Sequence, residues 1–325
     1  YKTQFFNVST SDDQAILDYA GDQTGNIFIT DSILSTLMSA GRSQYSWDIV
    51  VNKYGNVLFF DKRDGSAIDF VNTFETANEY NAVEEKESID YPRNLSKEAT
   101  MINQFLSQQL LKKDVKKDFE EDHIAEGDEY AARKAYSYRK YELGQHKLIV
   151  RCTLDAYEAN PYAEEGASPE FVSIKAANEF LPSKKSNWKT QLDSSASMGV
   201  VIPDELKNNA AKYAKWVLEA SLADVPNFHL AFVTRDKISA DPENKEKKKI
   251  DHAILGVYDF KTEELAKILN LNMANAWGII NLIVQNMLAQ EDGKYVIFKD
   301  PLKPIVRVYS VPAKTFESSD EEDDQ

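Results

Sequence analysis

Eight short runs of alternating apolar and polar residues are spread along the chain with helical segments between them, and this interleaving constrains the fold most. The runs are Trp47 to Val51, Val57 to Phe60, Leu148 to Thr153, Phe171 to Lys175, Phe228 to Thr234, Ile254 to Phe260, Tyr295 to Lys299 and Ile305 to Ser310. A period of two residues is the signature of a strand with one buried face. Gly55-Asn56 supplies a hairpin turn between the first two, and Asp300-Pro301 with Pro304 separates the last two. Helical spacing appears after Asp31 (Ile33, Leu34, Leu37, Met38) and after Asn94 or Ser96, either of which can cap a helix carrying Leu95, Ala99, Ile102, Leu106 and Leu110. Two further helices are expected from about Asp204 to Ala223 and from about Met273 to Ala289. With no internal repeat, the pattern predicts a mixed α/β (α+β) protein in which central mixed β-sheets are flanked by helices. One domain is expected over residues 1–316, with a polar insertion at about 63–92, a charged loop at 241–249 and an acidic, disordered tail at 317–325.

Charge narrows the function. The net charge is −15, and six acidic residues in the last nine positions leave −9 for the rest. So acidic a body repels a polyphosphate at long range, which excludes non-specific nucleic-acid binding and confines any RNA site to a local basic pocket. The single cysteine, Cys152, lies in an apolar run, so no disulfide framework is available and a reducing compartment, cytosol or nucleus, is expected. No stretch approaches the 18 or more apolar residues of a membrane span, so no membrane partner is expected. The chain starts at Tyr1 rather than at methionine, which suggests a piece of something longer.

Catalytic signatures are missing. There is no Walker-type loop, paired-cysteine zinc pattern or Gly-x-Ser-x-Gly elbow, and the four histidines (His123, His146, His229, His252) are scattered. The abundant carboxylates sit mainly in loops and on polar helix faces, where solvation is their ordinary role.

Several longer blocks carry a resemblance: Tyr45-Ser46-Trp47-Asp48-Ile49-Val50-Val51, Leu58-Phe59-Phe60-Asp61-Lys62-Arg63-Asp64, Asn94-Leu95-Ser96-Lys97-Glu98-Ala99-Thr100-Met101-Ile102-Asn103, Glu205-Leu206-Lys207-Asn208-Asn209, Asn275-Ala276-Trp277-Gly278-Ile279, and Lys299-Asp300-Pro301 followed by Arg307-Val308-Tyr309-Ser310. In order and over nearly the whole chain, they resemble the family of D subunits of eukaryotic translation initiation factor 3. The resemblance implies a cytoplasmic cap-binding module with the fold of the decapping and 5′-end exoribonuclease enzymes. It further implies a missing N-terminal region that docks onto the rest of the factor, and as partners capped mRNA, the other components of the factor and the small ribosomal subunit. No cofactor is implied.

Those enzymes hold two divalent metals with an arginine, a lone glutamate, a Glu-x-Asp pair, a Glu-x-Lys pair on the next strand and a glutamine. Aligned through Lys212-Tyr213-Ala214-Lys215-Trp216 and Val225-Pro226-Asn227, the pairs become Thr153-Leu154-Asp155 and Ser173-Ile174-Lys175. The lone glutamate becomes Ser107, the arginine Asp31 and the glutamine Glu219. Of the metal-binding carboxylates Asp155 remains. Two hard cations held close together need several anionic oxygens, so neither a metal site nor a catalytic residue is expected, and the resemblance implies binding without cleavage.

A 7-methylguanosine cap offers a cationic π-face, a Watson–Crick edge with N–H donors and a triphosphate. Asp31 is a candidate for the edge and equally a candidate cap of the helix that follows it; both can hold. Trp47 alternates with Ile49 and Val51 and is expected in the core, which leaves Tyr45 as the candidate for cap contact. Thr100, Asn103 and Gln104 share one side of a helix; such a strip ordinarily faces solvent, whereas the resemblance makes it a wall of the cap cleft. For the phosphates the candidate is Lys175, with Thr153, Ser173 and Ser107 as neutral partners and Arg133-Lys134, Arg139-Lys140 and Lys184-Lys185 further along; the surviving carboxylate Asp155 belongs to the same cap- and RNA-binding set. By the same resemblance the 63–92 insertion is a gate over the RNA channel, with an ordinary variable loop as the alternative. Ser318 and Ser319, followed by five acidic residues, form a candidate site for regulatory phosphorylation. Two other functions remain open: a structural protein-interaction module whose nuclease-like cleft is vestigial, and a residual metal-dependent decapping or exonuclease activity.

Overall fold

A computed structural model describes residues 9–43, 45–63, 65–73, 86–112, 114–115, 134–158, 169–179, 187–192, 198–240, 248–301 and 303–316. The first elements are α1 (Gln14–Gly21), β1 (Ile27–Thr30), α2 (Asp31–Met38), β2 (Trp47–Tyr54), β3 (Val57–Asp61) and α3 (Pro92–Gln109). They are followed by β4 (Ala135–Leu143), β5 (His146–Leu154), β6 (Ala156–Glu158), β7 (Glu170–Asn178), α4 (Trp188–Gln191), α5 (Met198–Asn208) and α6 (Ala210–Leu222). The last are β8 (Asn227–Ala240), β9 (Lys248–Lys261), α7 (Thr262–Ile268), α8 (Met273–Leu288), β10 (Gly293–Lys299) and β11 (Val306–Val311). All eight expected strands form. The chain divides into two compact units, Tyr1–Asp69 with Glu120–Thr153 and Asn272–Gln325, and Phe70–Phe119 with Leu154–Leu271.

The first unit is built on a seven-stranded sheet in the order β11-β10-β2-β3-β1-β5-β4. Its centre, β3-β1-β5, is parallel, while β2 pairs antiparallel with β3 and with β10. Gly55-Asn56 makes the expected hairpin turn, with Gly55 at φ +57°, a conformation that costs a residue with a Cβ. Gly25 precedes β1 for another reason: a Cβ there would lie 2.6 Å from Ile149 Cγ1 of the neighbouring strand. Phe28 stacks on Phe59 at 5.0 Å within a cluster that includes Ile16 and Ile149. Cys152 is buried.

Helix α2 is buried almost all round, so its polar side chains need internal acceptors. They find them on the helix itself: Thr36 Oγ1 donates to Ser32 O at 2.7 Å and Ser39 Oγ to Ser35 O at 2.7 Å. The expected cap is corrected, since Thr30 Oγ1 accepts from Ile33 N–H (3.4 Å) and Asp31 is the first helical residue.

The second unit carries a four-stranded sheet, β6-β7-β8-β9, with a parallel β7–β8 pair inside antiparallel flanks. Helix α3 lies on one face, where Leu106 and Ile102 pack against Ala176, Ala231 and Val233. On the other, Trp188 meets Phe232 edge-on at 5.2 Å. Neither Asn94 nor Ser96 caps α3. The helix starts earlier, at Pro92, whose fixed φ suits a first turn, and the two side chains bond to the preceding segments instead: Asn94 Nδ2 to Lys86 O and Ser88 O, Ser96 Oγ to Val71 O. Arg235 on β8 completes the fastening. Its fork grips both Glu98 oxygens (2.9 and 2.5 Å) and also donates to Asp90 Oδ1 (2.6 Å) and Ile89 O (3.0 Å). His252 Nε2 lies 2.7 Å from Glu98 Oε1.

The single helix expected over 204–223 is two. Asn209 leaves helical geometry (φ −127°, ψ 36°) between α5 and α6. Around this bend Glu205 Oε1 accepts from Asn209 Nδ2 (2.9 Å), Lys212 Nζ (2.9 Å) and Tyr213 OH (3.1 Å), with all four residues buried. Burial and the adjacent Glu205 push the Tyr213 phenol well above its ordinary pKa, which keeps it a donor. Lys212 also sits 5.3 Å from the Trp216 ring centroid.

Two consequences can be measured. Breaking a buried pair strands a charge, so Glu205→Gln should cost about 3–5 kcal/mol in urea unfolding. The double change Glu205→Gln with Lys212→Met, which removes both charges and keeps an acceptor for Asn209 and Tyr213, should cost less than Glu205→Gln alone. Burial raises the Glu98 carboxyl pKa, but Arg235 and His252 outweigh it and hold the group below 4.5, its ordinary value. Its stabilisation is therefore complete above 4.5 and is lost as pH falls through the lower folded value. Glu98→Gln should be about 2 kcal/mol less stable than the parent at neutral pH, and that gap should close in acid; a gap constant from pH 7 to pH 3 would contradict the assignment.

Candidate functional site

Past Val172, β7 has no strand neighbour on its β6 side among the described residues, because β6 pairs only with Glu170 to Val172. Buried peptide groups left there need partners, and side chains provide them. Asp155, between β5 and β6, accepts through Oδ2 from Ile174 N–H (2.9 Å), Ser173 Oγ (3.2 Å) and Lys175 Nζ (3.1 Å). Two residues on, the Asn103 carboxamide stands in for a peptide: Oδ1 accepts from Ala176 N–H (2.8 Å) and Nδ2 donates to Ala176 O (2.9 Å). Three sequence candidates, Asp155, Ser173 and Lys175, thus meet at one point, with Asn103 next to them on the same edge. The Asp155 and Lys175 side chains are 14% and 18% exposed, enclosed enough for the pair to be weakly screened.

Thr100, from the same polar strip on α3, is turned to the same kind of work. Thr100 Oγ1 donates to Ser96 O (2.7 Å) and accepts from Val71 N–H (2.8 Å), which fixes the segment that follows residue 70. Gln104 and Ser107 are half-buried, and Ser107 Oγ donates to Gln104 O at 3.4 Å. Glu219, on α6, is half-buried.

Other candidates lie in the first unit. Asp31 is buried; its Oδ1 accepts from Ser32 N–H and its Oδ2 from Thr153 N–H, each at 2.7 Å. The carboxylate thereby ties the carboxyl ends of the parallel strands β1 and β5. Tyr45 is 38% exposed, while Trp47 is in the core as expected. Ser318, Ser319, Arg133, Lys184 and Lys185 lie outside the described residues, as do 64 and 74–85 of the insertion and nearly all of the 241–249 loop.

Buried cations escaped the sequence reading, among them Lys299 and Arg151. Lys299 Nζ donates to the backbone carbonyls of Tyr45 and Asp300, both at 3.3 Å, and so fixes the chain that presents Tyr45. A signal existed: Lys299 is in phase with Tyr295 and Ile297 on the buried side of its strand, and a lysine in such a position needs acceptors. Arg151 donates to Asp13 Oδ2 (2.6 Å) and lies 4.9 Å from the Tyr136 ring centroid. Tyr138 OH donates to the same Asp13 carboxylate, and burial with that charge beside it keeps the phenol protonated well above its ordinary range.

Among the described residues, no group of three or more His, Cys, Asp or Glu side chains is placed to hold a metal ion. No described helix is long and apolar enough to cross a membrane.

Comparison with known proteins places this architecture. The family model described as "Eukaryotic translation initiation factor 3 subunit 7 (eIF-3)" matches residues 1–310. The D-1 subunit of eukaryotic translation initiation factor 3 from Drosophila mojavensis is 42% identical over 97% of this chain and 55% of its own length. The D subunit from Nasonia vitripennis is 42% identical over 98% and 56%, and that from Nematostella vectensis 42% over 97% and 54%. The chain therefore spans about half the length of the curated relatives it matches. Among solved structures, Scheffersomyces stipitis Rai1 superposes with a TM-score of 0.52 at 12% identity, covering 97% of this chain and 79% of that one. Candida albicans Rai1 in complex with pU5-Mn2+ gives the same values. At such identity the likeness speaks to fold alone, and it bears out the decapping-exonuclease fold expected from the sequence. By the match over residues 1–310, the chain belongs to the eukaryotic translation initiation factor 3 subunit 7 family, among whose curated members are the D subunits of that factor.

Proposed function

We propose that this chain recognises the capped 5′ end of messenger RNA during translation initiation, in the cytoplasm, and that it binds without cutting. The observation that carries the reading is the state of Asp155. Of the carboxylates aligned with the enzymes' metal ligands it alone remains, and its Oδ2 is engaged by Lys175 Nζ, Ser173 Oγ and Ile174 N–H.

A neighbour in fold, Candida albicans Rai1, is described in complex with pU5-Mn2+, so the fit of a divalent metal has to be asked of these residues. It is poor. A hard cation needs several anionic oxygens, and a pair of cations needs more. Here the aligned positions hold the neutral hydroxyls of Ser107, Thr153 and Ser173, while an ammonium 3.1 Å from the remaining carboxylate offsets its charge and would repel a metal. No hydrolytic step is derived through such a site.

What these side chains can do is bind. Tyr45 offers an exposed phenol ring whose backbone is held by a buried lysine, suited to the cationic face of a methylated guanine. Lys175 brings positive charge to the β7 edge, where a phosphate can compete for it with Asp155. Asp31 and Asn103 contribute by shape: both are committed to backbone groups and set the strands and helix on which the other candidates sit. Local basicity of this kind is compatible with a net charge of −15 because short contacts outweigh a screened distant field.

Tyr45→Ala should weaken binding of a capped oligonucleotide about tenfold, in line with the loss of one stacking contact, with Tyr45→Phe close to the parent. Fluorescence anisotropy with competing cap analogue reads this; equal affinities for all three proteins would refute Tyr45 as a contact. Lys175→Ala should lower affinity and reduce the slope of log K against log salt by about one. Incubation of 5′-monophosphorylated and capped RNA with the protein in manganese should leave both intact, and release of nucleotides or of the cap would restore the enzyme reading.

A further inference from the structure

Strand β11 closes the seven-stranded sheet on one side, and among the described residues β10 is its one paired neighbour. Soluble proteins usually protect such an edge with a charge pointing into it, a proline, a bulge or a covering segment, because unpaired peptide groups invite another strand. This edge has little of that protection. Val306, Val308 and Tyr309 are 44%, 42% and 48% exposed, and β11 contains neither proline nor acidic residues. Its register with β10 sets Val306 and Val308 opposite Lys299 and Ile297, which are 4% and 1% exposed. The buried face of the sheet thus runs one strand beyond its cover, and the valines that extend it meet solvent.

Charge says what would suit this surface. Residues 293–316 contain five Lys or Arg and one Asp, on a chain whose net charge is −15. Arg307 is paired with Asp300 at 2.6 Å, while the exposed Lys303 and Lys314 stand before and after the strand. We propose that β11 is a docking edge that accepts an extended strand from a protein partner, one that alternates β-branched with acidic side chains. The main chain would supply the hydrogen bonds, the valines would receive the apolar side chains, and the two lysines would meet carboxylates at either end. A second copy of this chain is the wrong occupant, since β11 against β11 would bring the two sets of lysines together. RNA could satisfy the lysines but leaves the valines and the outward peptide groups unmatched.

The test uses the full-length protein in reconstituted initiation factor 3, with p-benzoylphenylalanine replacing Val308. The expected product is a photoadduct to one protein segment of acidic, β-branched sequence, reduced at least fivefold by Lys303→Glu with Lys314→Glu. Those residues are exposed, so the thermal melt of the chain should not move. In the assembled factor, amide exchange across 306–311 should slow by more than tenfold relative to the free protein. No protein adduct, an adduct to RNA or to a second copy, a yield indifferent to charge reversal, or exchange unchanged on assembly would each overturn the proposal.

Discussion

Peptide groups that leave a β-ladder must still be hydrogen-bonded, and in the second unit this requirement falls on β7. Beyond Val172 the strand has β8 on one side and, among the described residues, no strand on the other. Water could serve an exposed edge, but Ala176 and Ala177 are wholly buried, so the partners must come from the protein. Asp155 and Asn103 fill that role with a carboxylate and a carboxamide aimed at successive outward groups, Ile174 N–H and both polar atoms of Ala176. A carboxamide is a peptide in miniature, so Asn103 also fixes the height of α3 over the sheet, and with it the packing of Leu106 on Ala176 and Ala231. Loss of Asn103 would leave two unsatisfied backbone groups as well as one fewer polar side chain.

The same edge carries the proposal that this chain binds without cutting. A carboxylate can hold a cation only if its lone pairs and its charge are available. Asp155 commits its Oδ2 to Lys175, Ser173 and the Ile174 N–H, and the ammonium offsets its charge. Restoring one acidic neighbour would not undo this, because Lys175 would pair with it as readily. In the proposed reading, a phosphate oxygen competes with Asp155 for this ammonium.

Much of this fold was legible in the sequence, for reasons that also explain what was not. Strands with one face on the core, such as β2 and β10, announce themselves by alternation, and Gly55 at positive φ marks the turn of a hairpin. Strand β1 gave no such sign. Its four residues are all buried between two parallel neighbours, so nothing alternates and nothing separates it from any other short apolar run. The bend at Asn209 was hidden too, because it depends on Glu205 gathering donors four, seven and eight residues away. At the candidate site, the polar residue types were legible but their partners were not. Thr100 and Asn103 form a polar strip at helical spacing, and spacing cannot say whether such a strip faces a ligand or the peptide groups of Val71 and Ala176. Lys299 and Arg151 needed the opposite inference, since a cation in phase with buried residues implies a partner that only the folded chain identifies.

Within one chain, then, two sheet edges meet the same physical demand differently. The β7 edge is closed from inside by side chains that sequence distance would never pair, Asn103 with Ala176 and Asp155 with Ile174. Strand β11 carries exposed valines and no acidic residue, with exposed lysines before and after it. Unpaired peptide groups and solvent-facing valines both cost free energy, and the second also invites aggregation. Among the described residues one edge is sealed by buried hydrogen bonds while the other is apolar, flanked by lysines and paired on one side only, and this contrast supports the proposal that the second edge is half of an interface.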